Sequence, residues 1–547
     1  MSAYIGRFLS LNRWPGRLPG HRHFYDWRTC SDSIFALSTS IDTKKGSPLG
    51  IIRISGSETV NILQNITRRK ALRSNKHLND GSKSVIRPRY ATLTELFDPK
   101  QNDLIDMGLV LWFPQPSSYT GEDVCELHVH GSQAVVKKLM TTLGSFDNTR
   151  PAEPGEFTRR AVANGKIDLM QAESISDLIS SQTDRQRKVA LHGLTGSTRV
   201  RYEKWAENLI RILAHLEASI DFGEDELIDG EQRVVNECIQ DLNVLVKEIS
   251  DFVSLTSRCR ELIETGVRVV ILGRPNAGKS TFMNILCRQE KSIVSDVSGT
   301  TRDLIEHTFE LGGHKLTLCD TAGLKDLSFS SKKHCENAIH QKHQQNHDDI
   351  EQEGIKRALA AARIADLIIY LVDVNQISKK STTVIAQELF QALDSIGAHK
   401  SRKSVHLVIN KIDLKTGATC EIDSDALRSA LREVLIEPAD ISVTMISCRT
   451  HDNIDKLVEG ISKSLDRLHL NNAQSDQEVI EYVNERHLSL LDSALKHLDR
   501  AKNLKINRID EMAQHVRESV DYLSRIVGDV TNEQVIDIIF KDFCIGK

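Results

Sequence analysis

Gly273-Arg-Pro-Asn-Ala-Gly278-Lys279-Ser280 matches G-x-x-x-x-G-K-[ST], a spacing that lets backbone N–H groups turn inward around phosphates. Lys279 supplies a cation to β- and γ-phosphate oxygens. Ser280 supplies a ligand for Mg2+, and a helix starting here favours an anion at its N-terminus. Asp320-Thr321-Ala322-Gly323 adds a carboxylate suited to Mg2+, directly or through water, and a Gly323 N–H suited to a γ-phosphate. Asn410-Lys411-Ile412-Asp413 adds a carboxylate that accepts two hydrogen bonds from guanine, at N1–H and the exocyclic amine. Adenine has no such donor pair, so ATP would leave Asp413 unpaired. Ser447-Cys448-Arg449 brings a backbone N–H toward the guanine O6. In this order, each at the C-terminal edge of an apolar run, the segments predict a GTPase and disfavour a P-loop ATPase or kinase.

The elements that must hold these loops are legible from apolar periodicity. Val267–Leu272, Lys315–Leu318, Asp366–Val372, Val405–Ile409 and Val443–Ile446 read as short strands separated by helix-length segments. Ile454, Leu457, Val458, Ile461 and Leu465 make a closing helical stripe. That alternation predicts a parallel, doubly wound sheet over 266–470. On either side the chain is helical. Leu209, Ile212, Leu213, Leu216 and Ile220 share one face, as do Val516, Val520, Leu523, Ile526 and Val527. Nine of the eleven prolines fall in residues 1–154, which leaves 155–265 and 475–530 free for long helices. An α/β domain thus interrupts a helical domain, residues 154–265 and 471–547, whose halves could pack as one bundle. Residues 31–153, with Ile51–Ile54 and Leu109–Trp112 as strands, read as a small α+β unit.

Composition bounds the rest. The 547 residues carry 71 Lys+Arg against 75 Asp+Glu, a net charge of -4 that excludes a grip on nucleic acid by bulk charge. No run approaches a membrane span. Ten scattered cysteines without a CxxC pair argue against a disulfide framework or structural zinc site. Residues 1–30 hold Arg7, Arg13, Arg17, Arg22 and Arg28 against one acid, Asp26, and lack a 7–15-residue apolar block. That pattern excludes a secretory signal and fits a mitochondrial transit peptide.

The nucleotide core resembles the Ras-like translation-factor class of GTPases. Ser298-Gly299-Thr300-Thr301-Arg302-Asp303 is similar to its first switch, with Thr301 at the Mg2+-binding threonine. Leu324 stands where Ras-type enzymes carry a water-orienting glutamine. Hydrolysis therefore needs another group to position water and another positive charge.

Three further segments resemble the MnmE (TrmE) family of tRNA-modifying GTPases: Tyr119-Thr-Gly-Glu-Asp-Val-Cys-Glu126-Leu with Gly131, Arg150 to Arg160 running into Asn164-Gly-Lys166-Ile-Asp-Leu-Met-Gln-Ala-Glu-Ser, and the tail Phe543-Cys544-Ile545-Gly546-Lys547. The resemblance covers residues 31–547 and, with the transit-like start, implies a mitochondrial-matrix member. The fold it implies is multidomain: an α+β folate-binding-like N-terminal domain, a discontinuous α-helical domain and an inserted α/β Ras-like P-loop GTPase domain. The activity it implies is modification of carbon 5 of the wobble uridine of mitochondrial tRNAs with a carboxymethylaminomethyl- or taurinomethyl-type group. The implied partner is an FAD-containing MnmG-type protein. The implied assembly is a homodimer through the N-terminal domains, whose GTPase domains pair when K+ and GTP bind. The implied carbon donor is 5,10-methylene- or 5-formyl-tetrahydrofolate.

Residue by residue, the resemblance places GTP contacts at Asn276, Ala277, Gly278, Lys279, Ser280 and Thr281, then at Ser295, Asp296, Val297, Ser298, Gly299, Thr300 and Thr301. Further contacts fall at Asp320, Thr321, Ala322 and Gly323, at Asn410, Lys411 and Asp413, and at Ser447, Cys448 and Arg449. Ser280 and Thr301 would ligate Mg2+. Asn276, Ser295, Val297 and Thr300 would hold K+, which could neutralise charge between the phosphates in place of an arginine finger. Glu351, shortly before Gly354-Ile355, matches the glutamate that orients water indirectly. Arg53, Glu126, Lys166 and Lys547 match folate-contacting positions, although Lys44-Lys-Gly-Ser-Pro-Leu-Gly50 departs from the family's glycine-rich stretch.

Cys544 is the expected nucleophile of the tRNA chemistry, its thiolate favoured by Lys547. Two bland alternatives compete: a small buried apolar residue, and a prenylated cysteine, for which Ile-Gly-Lys is a poor C-a-a-X ending. His334, Cys335, His340, His343 and His347 lie in an insert, 325–350, that reads as a solvated loop with no metal. Arg159, Arg160, Arg185, Arg187 and Lys188 form the best basic cluster for tRNA, against a solvated helix face. The competing function is a regulatory switch in ribosome or RNP assembly, which would need neither the Cys544 tail nor the folate-type positions.

Overall fold

The computed structural model describes residues 32–42, 45–71, 85–222, 228–274, 276–289, 306–319, 363–377, 387, 403–414, 429, 441–470, 483–505, 508–528 and 546. They fall into two compact units. One comprises Met1–Ile179, Leu191–Ile249 and Glu485–Lys547, the other Ser180–Ala190 and Ser250–Asn484.

The first unit starts as a six-stranded sheet: β1 (Ser33–Leu37), β2 (Ser47–Ser55), β3 (Thr92–Asp98), β4 (Asp103–Phe113), β5 (Val124–Gly131) and β6 (Thr149–Pro151), in the order β3-β4-β5-β2-β1-β6. All pairs are antiparallel except β1 with β6. Helices α1 (Thr59–Thr67) and α2 (Gln133–Leu143) accompany it. Strand alternation divides its side chains between two faces. Phe35, Ile52, Ile54, Leu96, Val110, Trp112 and Leu127 join Ile62, Leu63, Leu139 and Leu143 of the two helices in one core. Arg53 therefore belongs to the opposite face, where Ile34, Ala36, Ala152 and Phe157 form a smaller cluster with Tyr119. The strands expected at Ile51–Ile54 and Leu109–Trp112 lie inside β2 and β4.

Helices α3 (Glu156–Ala163), α4 (Leu169–Ser180), α5 (Asp184–Leu194), α6 (Ser197–Phe222) and α7 (Ile228–Glu264) follow. The second unit's sheet has β7 (Val267–Gly273), β8 (Glu306–Leu311), β9 (His314–Cys319), β10 (Leu367–Asp373), β11 (Ser404–Asn410) and β12 (Ile441–Met445), with α8 (Lys279–Gln289) and α9 (Ile454–Leu470). Its order is β8-β9-β7-β10-β11-β12. β10 and β11 are apolar nearly throughout because both of their faces are covered. The expected parallel sheet needs one correction. β8 is antiparallel to β9, joined through Gly312-Gly313, both at positive φ. A two-residue turn of that kind suits the twist of a hairpin. The start of α5 is fastened within this unit. Arg185 N donates to Gly313 O at 3.2 Å, Asp184 N to Glu310 Oε1 at 3.1 Å, and Arg185 Nη1 to Asp466 Oδ1 at 2.7 Å.

After the sheet the chain returns to the first unit with α10 (Glu485–Lys502) and α11 (Ile509–Val527). α11 packs against both α10 and α6, so the helices on either side of the nucleotide-type sheet do form one bundle. Tyr202, Trp205, Leu209, Ile212 and Leu216 of α6, Leu491 and Leu498 of α10, and Met512, Val516, Leu523 and Ile526 of α11 are buried. Ser519 Oγ donates to Ala494 O at 3.2 Å, an approach that small residues on both helices permit. Ile220, expected on the buried stripe, is exposed.

Candidate functional site

β7 delivers the chain into the phosphate-type loop with two glycines that cannot be replaced freely. Gly273 has φ +146°, and a Cβ there would lie 2.3 Å from Leu371 O. Gly278 has φ +99°, and a Cβ would lie 2.3 Å from Asn410 Nδ2. Asn276 between them is left-handed, with φ +62°. Ala277 is buried, while Ser280 and Thr281 are exposed in the first turn of α8. Lys279 Nζ donates to the carbonyls of Gly273, at 2.8 Å, and Arg274, at 3.0 Å. Backbone turned this way, a lysine over it and a helix N-terminus beyond it make a cradle that fits a polyphosphate.

Strand order then brings the distant motif alongside. β11 ends at Asn410, which is buried; its Nδ2 donates to Ala277 O at 2.8 Å. Its Oδ1 accepts from Lys411 N at 2.8 Å and from Cys448 N at 3.1 Å. Lys411 Nζ donates to Asn276 O at 2.6 Å and pairs with Asp373 Oδ2 at 2.8 Å. Asp413 sits on the helical turn Ile412–Leu414, and its Oδ1 accepts from Ser447 Oγ at 2.7 Å. Asn276, Ala277 and Gly278 thus meet Asn410, Lys411 and, through Asn410, Cys448. The N–H groups of Ser447 and Cys448 do not face a base in this arrangement. Ser447 N donates to Asp452 O and Cys448 N to Asn410. Cys448 is walled in, and burial pushes its thiol up to about 11, so it packs as a neutral apolar group.

Asp373 escaped the sequence reading. Burial acts to raise its carboxyl, but the Lys411 hydrogen bond and the Asn375 N–H outweigh that and hold it below the usual carboxylate range. The available signal was a lone acid closing an all-apolar strand.

In the first unit, β2 and β5 put Arg53 directly opposite Glu126. Arg53 Nε and Nη2 both donate to Glu126 Oε1, at 3.1 and 2.9 Å. The guanidinium lies 5.7 Å from the ring centroids of Tyr119 and Phe157. Gly546 joins them. Its carbonyl accepts from Arg53 Nη1 at 3.4 Å and Ser38 Oγ at 3.1 Å; its φ is +96°, and a Cβ there would lie 2.6 Å from Leu37 O. Lys166 donates to Pro116 O at 3.0 Å. A half-buried carboxylate beside a guanidinium that lies over two aromatic rings suits a flat heterocycle with ring N–H donors.

The basic cluster needs correction. Arg160 is buried and donates to Asp32, Glu122 and Glu156. Arg185 is largely buried on Asp466, while Arg187 and Lys188 pair with Asp184. Arg160 and Arg185 fasten the fold and present no face to a phosphate backbone. Ser295, Asp296, Val297, Ser298, Gly299, Thr300, Thr301, Asp320, Thr321, Ala322, Gly323, Glu351, Cys544, Lys547 and the 325–350 insert lie outside the described residues.

Comparison with known proteins agrees with the sequence pattern. The family model described as GTP-binding protein TrmE N-terminus matches residues 33–166, and that of the MnmE helical domain matches residues 169–544. The zebrafish (Danio rerio) protein named 5-taurinomethyluridine-[tRNA] synthase subunit GTPB3, mitochondrial, is 34% identical over 555 residues, covering 100% of this chain and 98% of that protein. Its human (Homo sapiens) namesake is 34% identical, covering 94% of this chain and 93% of that protein. The tRNA modification GTPase MnmE of Brucella anthropi is 35% identical, covering 94% and 98%. With both family models matched in order and relatives aligned along nearly their whole length, this chain belongs to the MnmE/TrmE family of tRNA modification GTPases.

Proposed function

We propose that this chain is a K+-activated GTPase of the mitochondrial matrix that works with an FAD-containing MnmG-type partner. The pair would modify carbon 5 of the wobble uridine of mitochondrial tRNAs, adding a carboxymethylaminomethyl- or taurinomethyl-type group. The observation that carries the GTPase part is the interlock of Asn410 and Lys411 with Ala277 and Asn276. It fixes the distance between a phosphate loop and a carboxylate, Asp413, suited to guanine. The mitochondrial assignment follows the names of the animal relatives and the arginine-rich, acid-poor start.

Lys279 would turn from loop carbonyls to phosphate oxygens, and the N-terminus of α8 would oppose their charge. Ser280 and Thr301 would hold Mg2+, which screens the phosphates when bound. Asn276, exposed and with a left-handed backbone, would share K+ with Ser295, Val297 and Thr300. That arrangement supplies positive charge without an arginine finger. Glu351 would orient water through an intermediary, since Leu324 has no polar atom. Arg53, Glu126, Lys166 and Lys547 would hold a tetrahydrofolate derivative, with Cys544 on the same tail as Gly546.

A homodimer is supported by an uncovered apolar stripe. Leu93 on β3 pairs with Leu109 on β4, and Leu109 pairs with His128 on β5. Leu93, Met107 and Leu109 are exposed, as are nearby Tyr90 and Leu104. An apolar patch on an edge pair of strands marks an interaction surface.

The test is mass spectrometry of mitochondrial tRNA nucleosides after depletion, paired with GTP turnover in K+ and Na+ buffers. Loss of the modified wobble uridine and faster turnover in K+ are expected. Fully modified tRNA in depleted cells would overturn the modification role; equal turnover would overturn the cation site.

A further inference from the structure

The helical bundle holds three chemically apt side chains that neither the nucleotide loop nor the Arg53–Glu126 pair uses. His515 and Glu518 are three residues apart on α11, so they share a face. His497 meets them from α10. His497 Nδ1 lies 3.3 Å from His515 Nδ1 and 2.5 Å from Glu518 Oε2, and His515 Nδ1 lies 3.7 Å from that same oxygen. All three ligand atoms fall within 4.8 Å of one another.

The separations lie close to those of a coordination shell. A tetrahedral zinc ion with Zn–N of about 2.0–2.1 Å sets its ligand atoms about 3.3–3.4 Å apart. The two imidazole nitrogens already sit at that spacing, and the carboxylate must shift by less than about 1 Å to match it. Proton sharing satisfies the group less well. A hydrogen bond between the two facing Nδ1 atoms needs one bare and the other protonated, while Glu518 Oε2 competes for that hydrogen. A divalent cation at the centre would use all three lone pairs at once.

The surroundings hold the ligands in this pose. Gln514 Nε2 donates to Glu518 Oε1 at 3.0 Å, which leaves Oε2 to the histidines. The Tyr522 ring lies 5.6 Å from the His497 ring. A hydrogen-bonded partner such as Gln514 orients its ligand and raises metal affinity. Two histidines and one carboxylate favour zinc over Mg2+ or Ca2+, which prefer all-oxygen shells. Glu518 is 38% exposed, leaving a fourth position open to water.

We propose that His497, His515 and Glu518 bind a zinc-type divalent ion that clamps α10 to α11. The three residues lie in the helical bundle and take no part in the nucleotide loop or the Arg53–Glu126 pair.

The experiment uses the full chain, stripped with chelator and titrated with Zn2+ alone, then with Co2+ alone. Uptake of one zinc ion per chain is expected, with at least a tenfold weaker affinity in His497→Ala and His515→Asn, on the scale of losing a ligand or its support. The Co2+ protein should show visible d–d bands without the intense near-ultraviolet absorption of thiolate ligation. No zinc uptake would overturn the proposal. So would unchanged affinity in both variants, or a thiolate signature, which would place the ion on cysteine. The Co2+ spectrum is read on the unsubstituted chain, so a variant that fails to fold does not blunt the test.

Discussion

Asn410 Nδ2 donates to the carbonyl of Ala277, 133 residues earlier, at 2.8 Å. The end of one strand thereby fastens the loop at the end of another. Asn410→Ala removes this bond and leaves the Ala277 carbonyl and the Cys448 N–H buried without it, at about 1–3 kcal/mol for each group. GTP affinity should fall at least about tenfold, a loss of about 1.4 kcal/mol or more, in a titration with a fluorescent GTP analogue. Unchanged affinity would show that the interlock does not shape the nucleotide site.

Asp413 is the expected reader of the guanine edge, and Ser447 Oγ holds one of its oxygens at 2.7 Å. Asp413→Asn replaces an acceptor by a donor. kcat/KM for GTP should drop on the order of 100-fold, because buried polar mismatches discriminate strongly. Xanthosine triphosphate, whose ring carries a carbonyl where guanine has the amine, should recover part of the loss. A variant with equal kcat/KM for both nucleotides, at the wild-type GTP value, would remove Asp413 from the base site.

Glu173 makes an acid-sensitive joint in the bundle. It accepts from Arg486 Nε at 2.6 Å, Arg486 Nη2 at 2.9 Å and His487 Nε2 at 3.0 Å. Burial works to raise its carboxyl, but His487 and Arg486 outweigh it and hold the group at about 2. A folded-state value below the ordinary 4.5 stabilises the fold above that pH. The contribution is lost as pH falls toward about 2, and amounts to something on the order of 3 kcal/mol. Urea midpoints measured from pH 6 down to pH 3 should fall more steeply in the wild type than in Glu173→Gln. The variant should be less stable at pH 7, because Arg486 and His487 lose their counter-charge. Parallel pH profiles would show that Glu173 is not the titrating group.

Glu126 is engaged by Arg53 through one oxygen, Oε1, and lies 3.5 Å from His128 Nε2 through the other. If this carboxylate receives a folate ring, Glu126→Gln should weaken binding of 5-formyl-tetrahydrofolate by about tenfold or more, as loss of a charge-assisted hydrogen bond does. Calorimetry on the full chain reads the effect, and an unaltered affinity would move the folate elsewhere.

Local pattern revealed what local physics determines. Apolar runs such as Leu367–Asp373 and Ser404–Asn410 announce strands buried on both faces. The loop Gly273–Ser280 declares its chemistry through glycine placement and one lysine. β8 went unread because Glu306–Leu311 mixes charged and apolar residues, as an edge strand does, although Gly312-Gly313 was a hairpin signal in plain view. The roles of Arg160 and Arg185 depend on carboxylates far along the chain, at Asp32, Glu122 and Asp466. A sequence shows the cations but not which acids will bury them. His515 and Glu518 are visible as an i, i+3 pair; His497 joins them through the register of α10 on α11, which no local spacing encodes.

The guanidinium of Arg160 holds both the Asp32 backbone carbonyl, at 3.0 Å, and its carboxylate, at 3.0 Å, while Arg150 takes the other carboxylate oxygen at 2.7 Å. Asp32 stands immediately before β1, a few residues beyond the arginine-rich stretch 1–30. The first strand is thus anchored at its very start by two guanidinium groups on one residue. Trimming ahead of Asp32 would spare the knot, whereas one residue further would leave Arg150 and Arg160 to Glu156 and Glu122 alone and remove the tie that holds the entry to the first strand.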